Sequence, residues 1–173
     1  MLATISQRLK QYMPSVVDSE VEKTSAKAAV MLLLHGDPLD PHVILTQRAK
    51  HLNHHAGEVA FPGGMKEPCD QNLLATALRE TEEEIGLTSD KIELLVMLPF
   101  DSPRLSMLRV APFMGWVASP YHLQPDPSEI AAVFNFPLKL LLDTGGYKYF
   151  ELSERKIQLP YVMYGEYKIW GFT

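Results

Sequence analysis

An α/β layered domain is the fold class this chain predicts, on three observations. Apolar stretches of strand character, Ala28-Val30-Leu32-Leu34, Val43-Leu45, Ile92 to Leu98 and Val110 to Val117, are separated by turn residues. A run of helix formers from Leu73 to Ile85 interrupts them, with apolar residues recurring at helical spacing. Further strand and short-helix patterns follow without repeats or low-complexity tracts, so strands and helices are interleaved around one core. At 173 residues the chain suits a single domain, 1–173, able to bury a sizeable core.

In chain order, Ile5 to Met13 has helical apolar spacing and reads as an N-terminal helical extension within residues 1–25. The first two strands are joined by a turn at Gly36-Asp37-Pro38 and Asp40-Pro41. Phe61-Pro62-Gly63-Gly64 then forms a tight loop, because Pro62 restricts its own φ and that of Phe61 while the glycines permit a sharp turn. Asp70 is the expected cap of the following helix and Gly86 its stop. Leu74, Leu78, Thr81 and Ile85 make the face a core would bury. Pro99 to Arg109, with two prolines and no periodicity, reads as a substrate loop, and Ser119 to Ser128 as a second long loop. A short helix near Leu138–Leu142, a Gly145-Gly146 turn and strands around Tyr147–Phe150 and Lys168–Trp170 complete the reading.

The chemistry concentrates in Arg79-Glu80-Thr81-Glu82-Glu83-Glu84. At about 100° per residue, Glu80, Glu83 and Glu84 fall on one face, with Arg79 beside Glu83. Carboxylates at i, i+3 and i+4 repel one another on a bare helix. A hard divalent cation removes that repulsion, and Mg²⁺ in particular takes oxygen ligands and bridges to substrate phosphates. The bland alternative is a solvated acidic face, and the glycine loop upstream is what favours the site. Between Pro41 and Gly57 there is no acidic residue, whereas Arg48, Lys50 and His42, His51, His54 and His55 are present. That basic patch would hold anionic phosphates beside the acidic face.

Gly64, Asp70 and then Arg79 through Leu87 resemble the box of the Nudix hydrolase family: a glycine, an acid, and Arg-Glu-apolar-x-Glu-Glu-x-Gly-apolar. The glycine-to-arginine distance is one residue longer than the common box, and Thr81 stands where an apolar residue is usual. The preceding Leu45, Thr46, Arg48, Ala49, Gly57, Phe61, Pro62, Gly63 and Gly64 resemble the signature of the coenzyme A pyrophosphatase subfamily. Asn53 occupies the place of a second arginine in that signature.

The resemblance implies a Nudix fold, a mixed β-sheet sandwiched between α-helices. It implies an enzyme that hydrolyses the pyrophosphate bond of coenzyme A or acyl-CoA, and a Nudix enzyme for ADP-ribose or a dNTP is the alternative. A third possibility is a catalytically inert nucleotide-binding module, against which the intact glutamates argue. The implied metal is Mg²⁺ or Mn²⁺ on Glu80, Glu83 and Glu84, with Asp70 either touching it through water or serving only as the helix cap. Arg79 would steady a glutamate, and Glu129 would supply a further acid. Arg48, Lys50, Gly63 and Gly64 would meet substrate. The subfamily usually continues past Trp-Gly-x-Thr into a final helix, and this chain stops at Thr173. Relatives of this kind commonly form homodimers, so a second copy is the protein partner expected.

Composition excludes other classes. A net charge of −5 disfavours nucleic-acid binding through phosphate contacts. The longest apolar run, Ala28 to Leu34, is too short for a membrane span. No leader pattern opens the chain, and the single Cys69 precludes an internal disulfide, so a reducing cytoplasm is the expected compartment.

Overall fold

Every other β-strand residue points to the same face, and that rule builds two cores here, one on each side of a single sheet. A computed structural model describes residues 26–99, 108–141, 144–152 and 157–171. The expected N-terminal helix, and residues 100–107 of the expected substrate loop, lie outside them. The main sheet is seven-stranded and mixed. Strand β1 (Ala28–Asp37) lies at its centre, antiparallel to β2 (Asp40–Arg48) and parallel to β6 (Val110–Val117). Strand β3 (Val59–Ala60) and β7 (Ile130–Pro137) pair with β2; β4 (Gly63–Met65) pairs with β1, and β5 (Ile92–Met97) with β6.

Helix α1 (Leu73–Ile85) packs on the face formed by Ala29, Met31 and Leu33, together with Ala111, Phe113 and Val117. The opposite face carries Leu34, Val43, Leu45 and Phe136, and is covered by a second, three-stranded sheet of β8 (Lys148–Leu152), β9 (Ile157–Tyr164) and β10 (Tyr167–Trp170). Phe134 stacks on Tyr167 at 3.9 Å between centroids. The helix expected on one face is therefore present, and among the described residues the other face is covered by strands. Nothing in the Ile157–Tyr164 stretch announces β9, because Pro160 breaks its pattern; Pro160 is exposed there. The short helix expected near Leu138–Leu142 is a 3₁₀ turn at Leu138–Leu141.

Helix α1 has the bounds its sequence predicts but a different cap. Asn72, not Asp70, is the N-cap, its Oδ1 accepting from Ala75 N–H at 2.9 Å. Gly86 ends the helix in the left-handed region (φ +70°), its N–H donating to Glu82 O at 2.9 Å. The buried stripe is also rotated from the expected one. Leu73, Ala77, Thr81 and Ile85 form it, and Leu74 and Leu78 sit at its edge. Thr81 is fully buried, and its hydroxyl donates to Ala77 O at 2.7 Å. A polar residue is tolerated at that apolar position because the helix itself satisfies it.

Candidate active site

The rotation of the stripe carries Glu84 inward. Glu80, Glu83 and Glu84 do not share one solvated face: Glu84 is 3% exposed, Glu80 16% and Glu83 59%. The buried carboxylate is met from two sides by the loop upstream. Gly63 N–H donates to Glu84 Oε2 at 3.2 Å, and Arg48 Nη1 stands 3.5 Å from Oε1. Burial pushes the Glu84 carboxyl up to about 8, and the charges of Glu80 and Glu129 add to the rise against the opposing Gly63 N–H and Arg48. Glu80 is raised as well, first by burial, with Glu83 and Glu129 contributing against the pull of Arg79.

Gly63 and Gly64 are glycines for different steric reasons. A Cβ on Gly63 would strike the backbone of Ala29 and Val30, because β4 lies directly on β1. A Cβ on Gly64 would sit 2.5 Å from the Glu80 carboxyl group. Gly63→Ala is therefore expected to destabilise the fold by at least about 1–3 kcal/mol, the usual range for overpacking. Gly64→Ala meets only the end of a side chain. It should leave the melting temperature nearly unchanged while cutting turnover up to about a hundredfold by displacing Glu80. Thermal melts and kinetics on the pair check this, and equal melting temperatures for the two variants would contradict it.

Arg79 is the hub of the outer layer. Its Nε and Nη2 donate to Asp70 Oδ1 and Oδ2 at 3.0 and 3.1 Å, and Nη2 also reaches Met65 O at 3.1 Å. Nη1 donates to Glu83 Oε2 at 2.7 Å, and Nη2 pairs with Glu80 Oε1 at 3.0 Å. Asp70 is itself buried and accepts from Glu67 N–H at 2.8 Å and Thr76 Oγ1 at 3.0 Å. The Arg79 guanidinium holds the Asp70 carboxyl well below its usual range, and Asp70 in turn raises Arg79. Sequence reading gave Asp70 as a helix cap or a contact to metal through water and missed this role. No periodicity reveals a contact across nine residues that begins in a loop.

Glu129 precedes β7, where Ala49 N–H donates to its carbonyl at 2.7 Å. Asp126 shapes that approach by accepting from Ser128 N–H at 2.8 Å, and His51 Nε2 bonds Ser128 O at 3.0 Å. Glu129 is exposed, and its charge is felt by both Glu80 and Glu84. Arg48, Gly63, Gly64, Arg79, Glu80, Glu83, Glu84 and Glu129 are thus brought together. Lys50 is exposed on the turn after β2 and pairs with no carboxylate among the described residues. His55 is turned to Glu58 at 2.9 Å.

As the side chains stand, no three His, Cys, Asp or Glu side chains among the described residues converge on a point where a metal could bind. The donor chemistry nonetheless fits a hard cation. Glu80, Glu83, Glu84 and Glu129 lie near two guanidinium groups, the two innermost are raised by burial and by neighbouring carboxylate charge, and Gly64 puts no side chain against the Glu80 carboxyl.

The profile of the NUDIX domain family matches residues 25–155. A protein of Photorhabdus laumondii named "Uncharacterized Nudix hydrolase NudL" is 38% identical over 149 residues, covering 84% of this chain and 78% of its own. Its namesake in Escherichia fergusonii is 37% identical over 154 residues, covering 85% and 77%. Among solved structures, a C. elegans Ap4A hydrolase binary complex aligns with a TM-score of 0.54 and 19% identity, over 68% of this chain and 83% of that one. The NUDIX domain of Shewanella oneidensis NrtR complexed with ADP ribose aligns with a TM-score of 0.51 and 22% identity, over 73% and 82%. These two likenesses show a shared fold. No helix among the described residues is long and apolar enough to cross a membrane.

Proposed function

The chain belongs to the NUDIX domain family, a pyrophosphohydrolase of nucleotide derivatives, and on that premise we propose that its substrate is coenzyme A or an acyl-CoA. One observation supports this reading above the rest. Arg48 and Gly63, from the coenzyme A-type signature, both meet Glu84 of the box, so signature and box form a single cluster. The products are 4′-phosphopantetheine, or its acyl form, and adenosine 3′,5′-bisphosphate.

Hydrolysis requires water to attack phosphorus in an anion, and negative charge grows on the phosphoryl oxygens as it does. Glu80, Glu83 and Glu84 would hold Mg²⁺ or Mn²⁺, which when bound supplies charge that offsets this growth. Arg79 fixes the rotamers of Glu80 and Glu83 through its own bonds to them. Gly64 keeps a side chain away from the Glu80 carboxyl, so the pyrophosphate can come close to the carboxylates, while Gly63 lets β4 lie against β1 with its N–H on Glu84. Arg48 and Lys50 take phosphate oxygens. Glu129, an exposed acid outside the three proposed metal ligands, and Glu84 are the carboxylates available to accept the proton of the attacking water. A homodimer in the cytoplasm belongs to the same reading.

Asn53, where the signature has a second arginine, favours a second reading: ADP-ribose or a dNTP as substrate. Product analysis after incubation with coenzyme A, in Mg²⁺ or Mn²⁺ and then with EDTA, separates the two. Metal-dependent release of adenosine 3′,5′-bisphosphate is expected. Turnover of ADP-ribose or dNTPs without turnover of coenzyme A would leave only the second reading, and silence on every diphosphate would point to an inert binding module.

A further inference from the structure

Arg48 and Arg79 both face the box glutamates, and they are held very differently. Arg79 makes contacts of 2.7 to 3.1 Å to Asp70, Glu83, Glu80 and Met65 O. Arg48 has one ionic contact, Nη1 to Glu84 Oε1 at 3.5 Å, longer than a charge-assisted hydrogen bond. Its Nε is buried with no hydrogen-bond partner among the described residues, an uncommon and costly condition for a charged donor. The backbone beneath it is nonetheless pinned: Arg48 N–H donates to Glu58 O at 2.9 Å, and its carbonyl accepts from Gly57 N–H at 3.2 Å. The β2–β7 register shifts between Gln47 and Arg48, a bulge of the kind that re-aims a side chain at a site.

We infer that Arg48 is an exchangeable counter-ion: its guanidinium balances Glu84 while no metal is bound, yields that carboxylate to an arriving divalent cation, and turns its open donors to substrate phosphate. The inference rests on the reading that Glu84 is a metal ligand. A loosely held guanidinium on a fixed backbone can make this exchange, whereas Arg79, bonded throughout, cannot. Because a guanidinium stays charged in every state, it competes with a cation for the same carboxylate.

Mg²⁺ binding by calorimetry, without substrate, tests the exchange. The whole chain is titrated at pH 9 as wild type, Arg48→Gln, Arg48→Met and Arg48→Lys. Removing the competitor in Arg48→Gln and Arg48→Met should tighten Mg²⁺ binding on the order of threefold to tenfold, within the range of coupling between neighbouring groups. Arg48→Lys, which keeps the charge, should bind like wild type. The increase in melting temperature from EDTA to Mg²⁺ should likewise be larger in the two neutral variants, so either variant that folds decides the question. Equal or weaker Mg²⁺ binding in the neutral variants, with wild type binding normally, overturns the exchange alone. A wild type that binds neither Mg²⁺ nor Mn²⁺ overturns the metal reading and the exchange together.

Discussion

Glu84→Gln is expected to lower turnover by about 10²–10⁴-fold, the scale of losing a carboxylate engaged in acid–base or metal chemistry, and to make the metal-free protein more stable at alkaline pH. The two effects share one cause. Glu84 is 3% exposed and flanked by the charges of Glu80 and Glu129, and its carboxyl titrates at about 8 in the fold against 4.5 when solvated. A carboxyl raised on folding contributes stability that is complete below pH 4.5 and is lost as pH rises through 8. In EDTA the wild type should therefore weaken between pH 5 and pH 9, by on the order of 2–4 kcal/mol. Glutamine carries no charge, still accepts the Gly63 N–H, and should give a flatter profile. Urea denaturation in EDTA at several pH values, beside kcat in Mg²⁺, measures both. Unchanged turnover would show that Glu84 is not part of the chemistry.

Asp70→Ala is expected to cost about 3–5 kcal/mol, the usual consequence of removing one partner from a buried ion pair. Asp70 is 4% exposed and offers both oxygens to Arg79, while also accepting from Glu67 N–H and Thr76. Its carboxyl is held well below the usual range, so this stability is present above the ordinary aspartate range near pH 4 and is lost as pH falls through the lowered value. Turnover should also fall about 10–100-fold, because Arg79 would lose the anchor from which it orients Glu80 and Glu83. Chemical denaturation and steady-state kinetics check the two parts. An Asp70→Ala protein within about 1 kcal/mol of wild type, below the normal range for such a loss, would show that Arg79 does not depend on this partner.

Much of this arrangement was legible before any coordinates. The bounds of α1, its Gly86 stop and the strand at Val110–Val117 follow from local periodicity and from what glycine alone tolerates. The meeting of the glycine loop with the glutamate helix was legible from their pairing in the chain. The identity of the N-cap was not, since Asp70 and Asn72 offer the same capping chemistry. Strand β9 was hidden by Pro160, whose cost in a strand depends on whether its missing N–H falls on a paired edge, and the pairing of β10 with β9 stops at Tyr161.

The sequence by itself determined the α/β class and the family, and it singled out the acids proposed for the site, because each is encoded within a few adjacent residues or a fixed spacing. Only the tertiary structure decided which glutamate is buried, which arginine is saturated and what Asp70 holds. Those outcomes depend on how far α1 turns against β1, and that rotation is set by packing of Leu73, Ala77 and Ile85 onto Met31 and Leu33. A helix face read from periodicity carries an uncertainty of a residue on either side. One residue is the difference between Glu83 in solvent and Glu84 in the core.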